Sequence, residues 1–259
     1  MAVVNGYRKK HWPDKFVHLF PLYIISQIVN KRKYYLFGLY FFTISRLPYI
    51  CYMIAVLTGD IVDSTHQEKD AWLPALKSAL INWGKEGKEW EIYRGDEFQL
   101  RLRHPERALM AAFSIKARLK AIADTDIRIA IGLGEAGDQD QDTTPLTESS
   151  GPAFIHSGRK LDEIKKHRIQ MAIASEDPAS DSAWNLLLQW VLLSADKWSS
   201  VSAEIVDLAL SHPELSQTDM ASRLKVQQPA VSQRLKRADF DLLWQTLEFF
   251  KDKIQSLCH

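Results

Sequence analysis

The sequence predicts an α+β protein: a ferredoxin-like βαββαβ unit followed by an all-α domain built on a helix-turn-helix. Three observations carry that expectation. Short apolar runs alternate with helix-period stretches from Met53 to Ser175, the sign of strands covered by helices. Two of the apolar runs flank the dipeptide Gly95-Asp96, a hairpin signal. Near the C-terminus, Ser216 opens one short helical pattern and Pro229 begins another a few residues on.

Taken in order, MIAVLTGDIVDS from Met53 is a buried strand running into a loop, and WLPALKSALINWG is a helix. EWEIYRGDEFQLRL gives two strands about a turn, and ALMAAFSIKARLKAI gives a second helix. IRIAIGLGEA is a strand ending in glycines, GPAFIHSGRKLDEIKK a helix after a turn, and IQMAIAS a last buried strand. The helices must cover a mostly antiparallel sheet in which the first strand lies beside the central hairpin. This domain is expected to occupy residues 53–175.

Composition limits the function. Lys+Arg 33 against Asp+Glu 32 gives a formal charge of +1, so no global positive field holds the chain on nucleic acid and any such affinity is local. With 46% hydrophobic and 25% charged residues, the chain is neither disordered nor fibrous in composition. Cys51 and Cys258 have no spacing for a zinc site or a disulfide framework, which points to a reducing, cytoplasmic setting. Residues 1–52 are apolar and basic, but Pro21, Lys31 to Lys33, Arg46 and Pro48 interrupt the runs, so neither makes a membrane span. A signal peptide fits poorly, for lack of a small-residue cleavage site. We expect no membrane partner and expect Met53 to be the native start.

Asp60 ends the first strand and Asp96 sits at the hairpin tip, so the proposed pairing brings their loops together. Converging carboxylates with no lysine between them repel, and Mg²⁺ (or Mn²⁺) relieves that when bound with substrate phosphates. Gly59 and Gly95 permit close backbone approach. Each acid taken singly also reads as an ordinary turn residue.

Residues 53–175 resemble the class III nucleotide cyclase and GGDEF superfamily, through DIVDST, RGDEF and GPAFIHSGRKL. With its appended helix-turn-helix, the chain is similar to the SatD family. The resemblance implies Asp60 and Asp96 as metal ligands, the Ile61 carbonyl assisting, and Arg159 as a catalytic, transition-state arginine. The chain departs from the cyclase pattern in having Ile155 for the usual asparagine, Ser149 for an aspartate and Ile92 for a base-reading lysine. Arg94 replaces the first glycine of GGDEF, which argues against cyclic dinucleotide synthesis. His156 is read as a structural or surface histidine rather than a general base, and residues 138–150 as a flexible acidic loop.

Residues 176–198 form a linker helix, SAWNLLLQWVLLSADKW, whose apolar faces must be covered either within the chain or by homodimerisation. Residues 199–259 form the helix-turn-helix domain. There Ser216 and Asp219 suit a capping box, Ala221 a helix crossing, and Val231 with Leu235 an inner face. Gln228, Ser232, Gln233, Lys236 and Arg237 fall on the outer face, suited to DNA base edges and phosphates. Arg223, Lys225 and Arg234 add to the local positive charge, and a role in protein contacts alone is the other reading. The expected function is a DNA-binding regulator whose cyclase-like domain binds a nucleoside triphosphate or other nucleotide with a divalent metal. The alternative is an active nucleotidyl cyclase, converting a nucleoside triphosphate to a cyclic monophosphate and pyrophosphate.

Overall fold

A computed structural model describes residues 53–66, 68–93, 95–137 and 144–257. The readings of residues 1–52, of Cys51 and Cys258, of Arg94 and of residues 138–143 lie outside the described residues. The described chain is α+β, with a five-stranded mixed sheet and eight α-helices.

The strands are β1 (Met53–Ile61), β2 (Trp90–Tyr93), β3 (Glu97–Leu102), β4 (Ile127–Glu135) and β5 (Met171–Ala174), ordered β2-β3-β1-β4-β5. β5 runs parallel to β4, and every other neighbouring pair is antiparallel. Strand alternation sorts the side chains between the two faces. Ala55, Leu57 and Ile61, with Phe98, Leu100, Ile127, Ile129 and Ile131, join the main buried cluster on one face. Helices α1 (Lys69–Leu80) and α2 (Ala108–Ala123) supply the other half of that cluster, through Trp72, Leu76, Leu109 and Phe113. Burying a side chain of this size stabilises by roughly 1.5–3 kcal/mol, so this layer dominates the fold.

The opposite face carries Ile54, Val56, Thr58 and Asp60 of β1. Helix α3 (Pro152–His167) covers part of it, with Ala153 against Ile54 and Val56 and with Leu161 and Ile164 against Ala130 and Ala172. Gly132 allows this close approach, since a Cβ there would lie 2.0 Å from the Ala153 carbonyl oxygen. Thr58 Oγ1 donates to Ser157 Oγ at 2.9 Å, satisfying two buried hydroxyls between strand and helix.

The main cluster continues from the sheet into the C-terminal helices α4 (Pro178–Ala195), α5 (Ser200–Ser211) and α8 (Phe240–Leu257). Leu188, Val191, Leu192 and Ala195 bury one side of α4 in it, which covers within the chain one side of the helix read as a linker. The other side leaves Leu186, Trp190 and Leu193 exposed. Polar contacts tie the same junction. Buried Lys116 of α2 reaches Asp126 at 2.6 Å and Asp196, just past α4, at 2.7 Å. Arg118 reaches Asp207 of α5 at 2.9 Å. Asp207 is pushed up by burial, against the pull of Arg118.

Helices α6 (Gln217–Arg223) and α7 (Gln228–Arg237) flank the turn 224–227 and share a small core of Ile205, Ala209, Met220, Ala221 and Val231. Ser216 and Asp219 form the expected capping box. Lys225, in place of a turn glycine, adopts a left-handed φ of 52°. In the tail helix α8, Leu243, Leu247, Phe250 and Ile254 mark one helical face, and all four are buried. Among the described residues, no helix is long and apolar enough to cross a membrane.

Part of the expected flexible loop is packed. Leu146 lies 3% exposed in the turn Leu146–Glu148, and its N–H donates to the Gly87 carbonyl at 3.1 Å. A single apolar residue thus anchors the described part of that polar segment.

Candidate functional site

Asp60 and Asp96 are brought together as their loops predict. Asp60 pairs with Glu97 across β3 and with Arg128 across β4, and the Ile61 N–H donates to the Asp96 carbonyl at 3.3 Å. Ser64 Oγ donates to Asp96 Oδ2, drawing the first loop onto the hairpin tip. Cations stand beside Asp60 and its neighbour Glu97. Lys165 Nζ, from the last turn of α3, lies 3.7 Å from Asp60 Oδ2 and 2.7 Å from Glu97 Oε1, while Arg128 Nη1 lies 3.2 Å from the same Asp60 oxygen.

Burial pushes the Asp60 carboxyl above its ordinary range, and Asp96 adds to that. Lys165 and Arg128 oppose the rise without cancelling it. Lys165 is itself raised: burial favours its neutral form, but Glu97 and Asp60 outweigh that. Asp60 is 7% exposed, and its Oδ1 has no hydrogen-bond partner. An orphaned carboxylate oxygen beside a second carboxylate is a donor set that suits a hard cation, since Mg²⁺ commonly uses one or two carboxylates and completes its shell with water and phosphate. Among the described residues, no three His, Cys, Asp or Glu side chains gather as a metal group.

Gly59 has a different reason from close phosphate approach. A Cβ there would lie 2.4 Å from the Phe98 ring, so this glycine accommodates its cross-strand aromatic partner in the core. Arg159 is exposed and lies about 200° round α3 from buried Ser157, given 100° per residue, so it faces away from the sheet that carries Asp60. Ile155, one turn before it, is 50% exposed on the same side. His156 Nδ1 lies 2.8 Å from the Leu133 carbonyl oxygen, a local structural contact.

A groove of about 400 Å³ opens between β2, β3 and the first turn of α3. Glu91, Tyr93, Gln99, Leu146, Ser149 and Phe154 line it. Gln99 Nε2 lies 3.4 Å from Thr58 Oγ1, and buried Arg101 donates to Ser149 Oγ at 2.7 Å.

On α7, Gln228, Ser232, Gln233, Lys236 and Arg237 are all exposed, and Gln228 Nε2 donates to Gln217 at 2.8 Å. Arg234 is drawn off the outer face to Glu204 at 3.1 Å.

The family model described as the SatD family matches residues 53–254. The chain belongs to the SatD family. No curated protein and no solved structure matches it. In this SatD protein, the sequence reading missed Arg128, Lys165 and the groove residues. Arg128 alone left a trace, as a charged residue at the start of an apolar strand, two positions before Ala130 and so on the same face. Lys165 sits among the basic residues common at helix ends, which hid its reach back to β1.

Proposed function

We propose that this SatD protein is a cytoplasmic, DNA-binding regulator whose sheet domain binds a nucleotide together with Mg²⁺ or Mn²⁺. We read the β2-β3-β1-β4 order as a ferredoxin-like, cyclase-type unit, and α6 with α7 as a helix-turn-helix. The observation that carries the DNA reading is the outer face of α7. The side chains of Ser232, Gln233, Lys236 and Arg237 are exposed there with no hydrogen bond or ion pair among the described residues, while the opposite side is buried through Val231. Amide and hydroxyl groups beside two cations match what a major groove offers. The nucleotide reading is supported by the orphaned oxygen of Asp60 beside Asp96, with Lys165 and Arg128 at hand for phosphate.

A homodimer suits this reading, because paired helix-turn-helix units address two half-sites one helical turn apart. The exposed stripe Leu186, Trp190 and Leu193 repeats at spacings of four and three residues along α4, the pattern of a helix–helix seam. The test is DNA binding by the full chain across a salt series. Lys236→Ala with Arg237→Ala should weaken binding to all sequences and reduce the salt slope by about two. An unchanged slope rejects phosphate contact by this pair.

The adjacency of Asp60 and Asp96 also favours a second reading, an active nucleotidyl cyclase. Arg159 faces away from its own sheet, so turnover through it requires a second chain. Formation of cyclic product from any nucleoside triphosphate with Mn²⁺, lost in Asp96→Ala, would establish that reading over the regulator.

A further inference from the structure

The loop that follows β1 and the helix α7 are joined through the protein by one continuous run of polar contacts. We propose that buried Lys116 is the centre of a relay through which the state of this loop, tied to Asp96, sets the placement of α7. The inference rests on the regulator reading given above and supplies its means of regulation.

The relay begins at the acidic pair. Ser64 Oγ donates to Asp96 Oδ2, and the Ile61 N–H donates to the Asp96 carbonyl. A cation taken up by the Asp96 carboxylate competes with the Ser64 hydroxyl, so the loop as seated here and the loaded loop differ in free energy, as a ligand-driven switch requires. A second tie leads away from the acids, where the Val62 N–H donates to the Asp126 carbonyl at 3.0 Å. Asp63 follows with a left-handed φ of 56°, a sparsely populated conformation held between the two ties.

Asp126 hands any displacement to Lys116. Its carboxylate takes the Lys116 ammonium at 2.6 Å and Lys120 at 3.0 Å, and the same Lys116 nitrogen reaches Asp196 at 2.7 Å. Lys120 also donates to the Asp196 carbonyl at 2.9 Å. The Lys116 side chain has no exposed surface, and a buried ammonium that parts from its carboxylates loses the pairing that offsets its desolvation. The two aspartates therefore move together with it. An uncharged side chain of the same size would let the two segments slide.

The far end meets α7. Trp198, two residues past Asp196, donates its indole N–H to the Ala238 carbonyl at 3.1 Å, and Ser194 Oγ donates to the same oxygen at 3.4 Å. Ala238 ends α7 and directly follows Lys236 and Arg237. Phe113 lies one turn before Lys116 on α2, and its ring packs on Trp198 with centroids 6.3 Å apart, so α2 holds both the ion pairs and the indole. The two cations read as phosphate contacts thus stand at the end of the relay.

The test uses the full chain and two readouts. Amide hydrogen exchange needs no ligand. Ser64→Ala removes a tie to Asp96 and should change the protection of the Trp198 and Asp239 amides about 2- to 30-fold, the range over which mutations along coupled networks act. In the Lys116→Met background the same substitution should leave both amides unchanged. Trp198→Phe keeps a ring against Phe113 and removes only the N–H; with it the response should persist at the Asp196 amide and disappear at Asp239. The proposal is overturned if Ser64→Ala leaves Trp198 and Asp239 unaltered, or if Lys116→Met and Trp198→Phe both transmit the full response. The second readout is affinity for a random-sequence DNA duplex, with and without an equimolar mixture of the four nucleoside triphosphates and Mg²⁺. Nucleotide should shift that affinity at least about 5-fold, the lower end of allosteric couplings, and the shift should vanish in Lys116→Met. If nucleotide and DNA both bind and neither alters the other, the relay falls while the regulator reading keeps its two ligands. If the exchange response passes through Lys116 but no nucleotide binds, the relay stands and the nucleotide reading falls.

Discussion

Lys116 offers the sharpest test of how the sheet is joined to the C-terminal helices. Its side chain is fully buried and touches two carboxylates, Asp126 at 2.6 Å and Asp196 at 2.7 Å. Lys116→Met keeps the stem and removes the charge. Breaking a buried pair typically destabilises by about 3–5 kcal/mol because the remaining charge is left alone. Here the loss is smaller. Asp126 keeps Lys120 at 3.0 Å and the Ile127 N–H at 2.8 Å, and Asp196, 37% exposed, regains water. We expect about 1–3 kcal/mol, a fall in melting temperature of roughly 3–10 °C by scanning calorimetry. The pH dependence is a second check. Burial raises Asp126, but Lys116 and Lys120 outweigh it and hold the carboxyl below its ordinary value. A depressed carboxyl stabilises the fold above its unfolded pKa, about pH 4, and that stability is lost as pH falls through the folded value. The gap between variant and wild type should therefore narrow on acidification below about pH 4. A melting temperature unchanged at neutral pH, or a gap that stays constant into acid, refutes the reasoning.

Two further outcomes follow from backbone geometry. Gly132→Ala places a Cβ 2.0 Å from the Ala153 carbonyl oxygen and 2.5 Å from the Ser157 nitrogen, so α3 must lift from β4. Overpacking of that kind costs about 1–3 kcal/mol, and thermal melting should fall by several degrees; an unaltered midpoint refutes the close contact. Lys225→Gly relieves a left-handed φ of 52°. Relief of about 1–2 kcal/mol, less the glycine's extra unfolded entropy of about 0.4–1 kcal/mol, should leave a net gain near 0.5–1 kcal/mol in denaturant unfolding, and a loss refutes it.

Local pattern made the elements legible. Short apolar runs located all five strands, because strands covered on both faces are written as near-continuous apolar stretches. The capping box at Ser216 was equally readable, since both partners lie within one turn. What stayed hidden depended on contacts between distant segments. Lys165 and Asp60 are separated by more than a hundred residues, and only the crossover of α3 over the sheet joins them. Glu91 reads as one charged residue among several in a hairpin until β3, α3 and the Leu146 turn close around it. The turn in turn depends on Leu146, whose single apolar side chain gives no period to detect.

The charges around Asp60 bear on how a metal would arrive there. Three carboxylates, Asp60, Asp96 and Glu97, face two cations, Arg128 and Lys165, so two positive against three negative charges leave a formal −1. A bare divalent ion at the free Oδ1 would turn this to +1 and stand close to the two cations held by Oδ2 of the same carboxylate. Repulsion at such distances in a partly buried site is worth several kcal/mol, which opposes binding of the ion alone. A metal–phosphate complex brings its own negative charge and gives Lys165 and Arg128 new partners, leaving the orphaned Oδ1 of Asp60 to face the metal. Metal and nucleotide should therefore bind together, each weakly without the other. Such coupling would make the site respond to the loaded nucleotide rather than to free cation, as a sensing role requires.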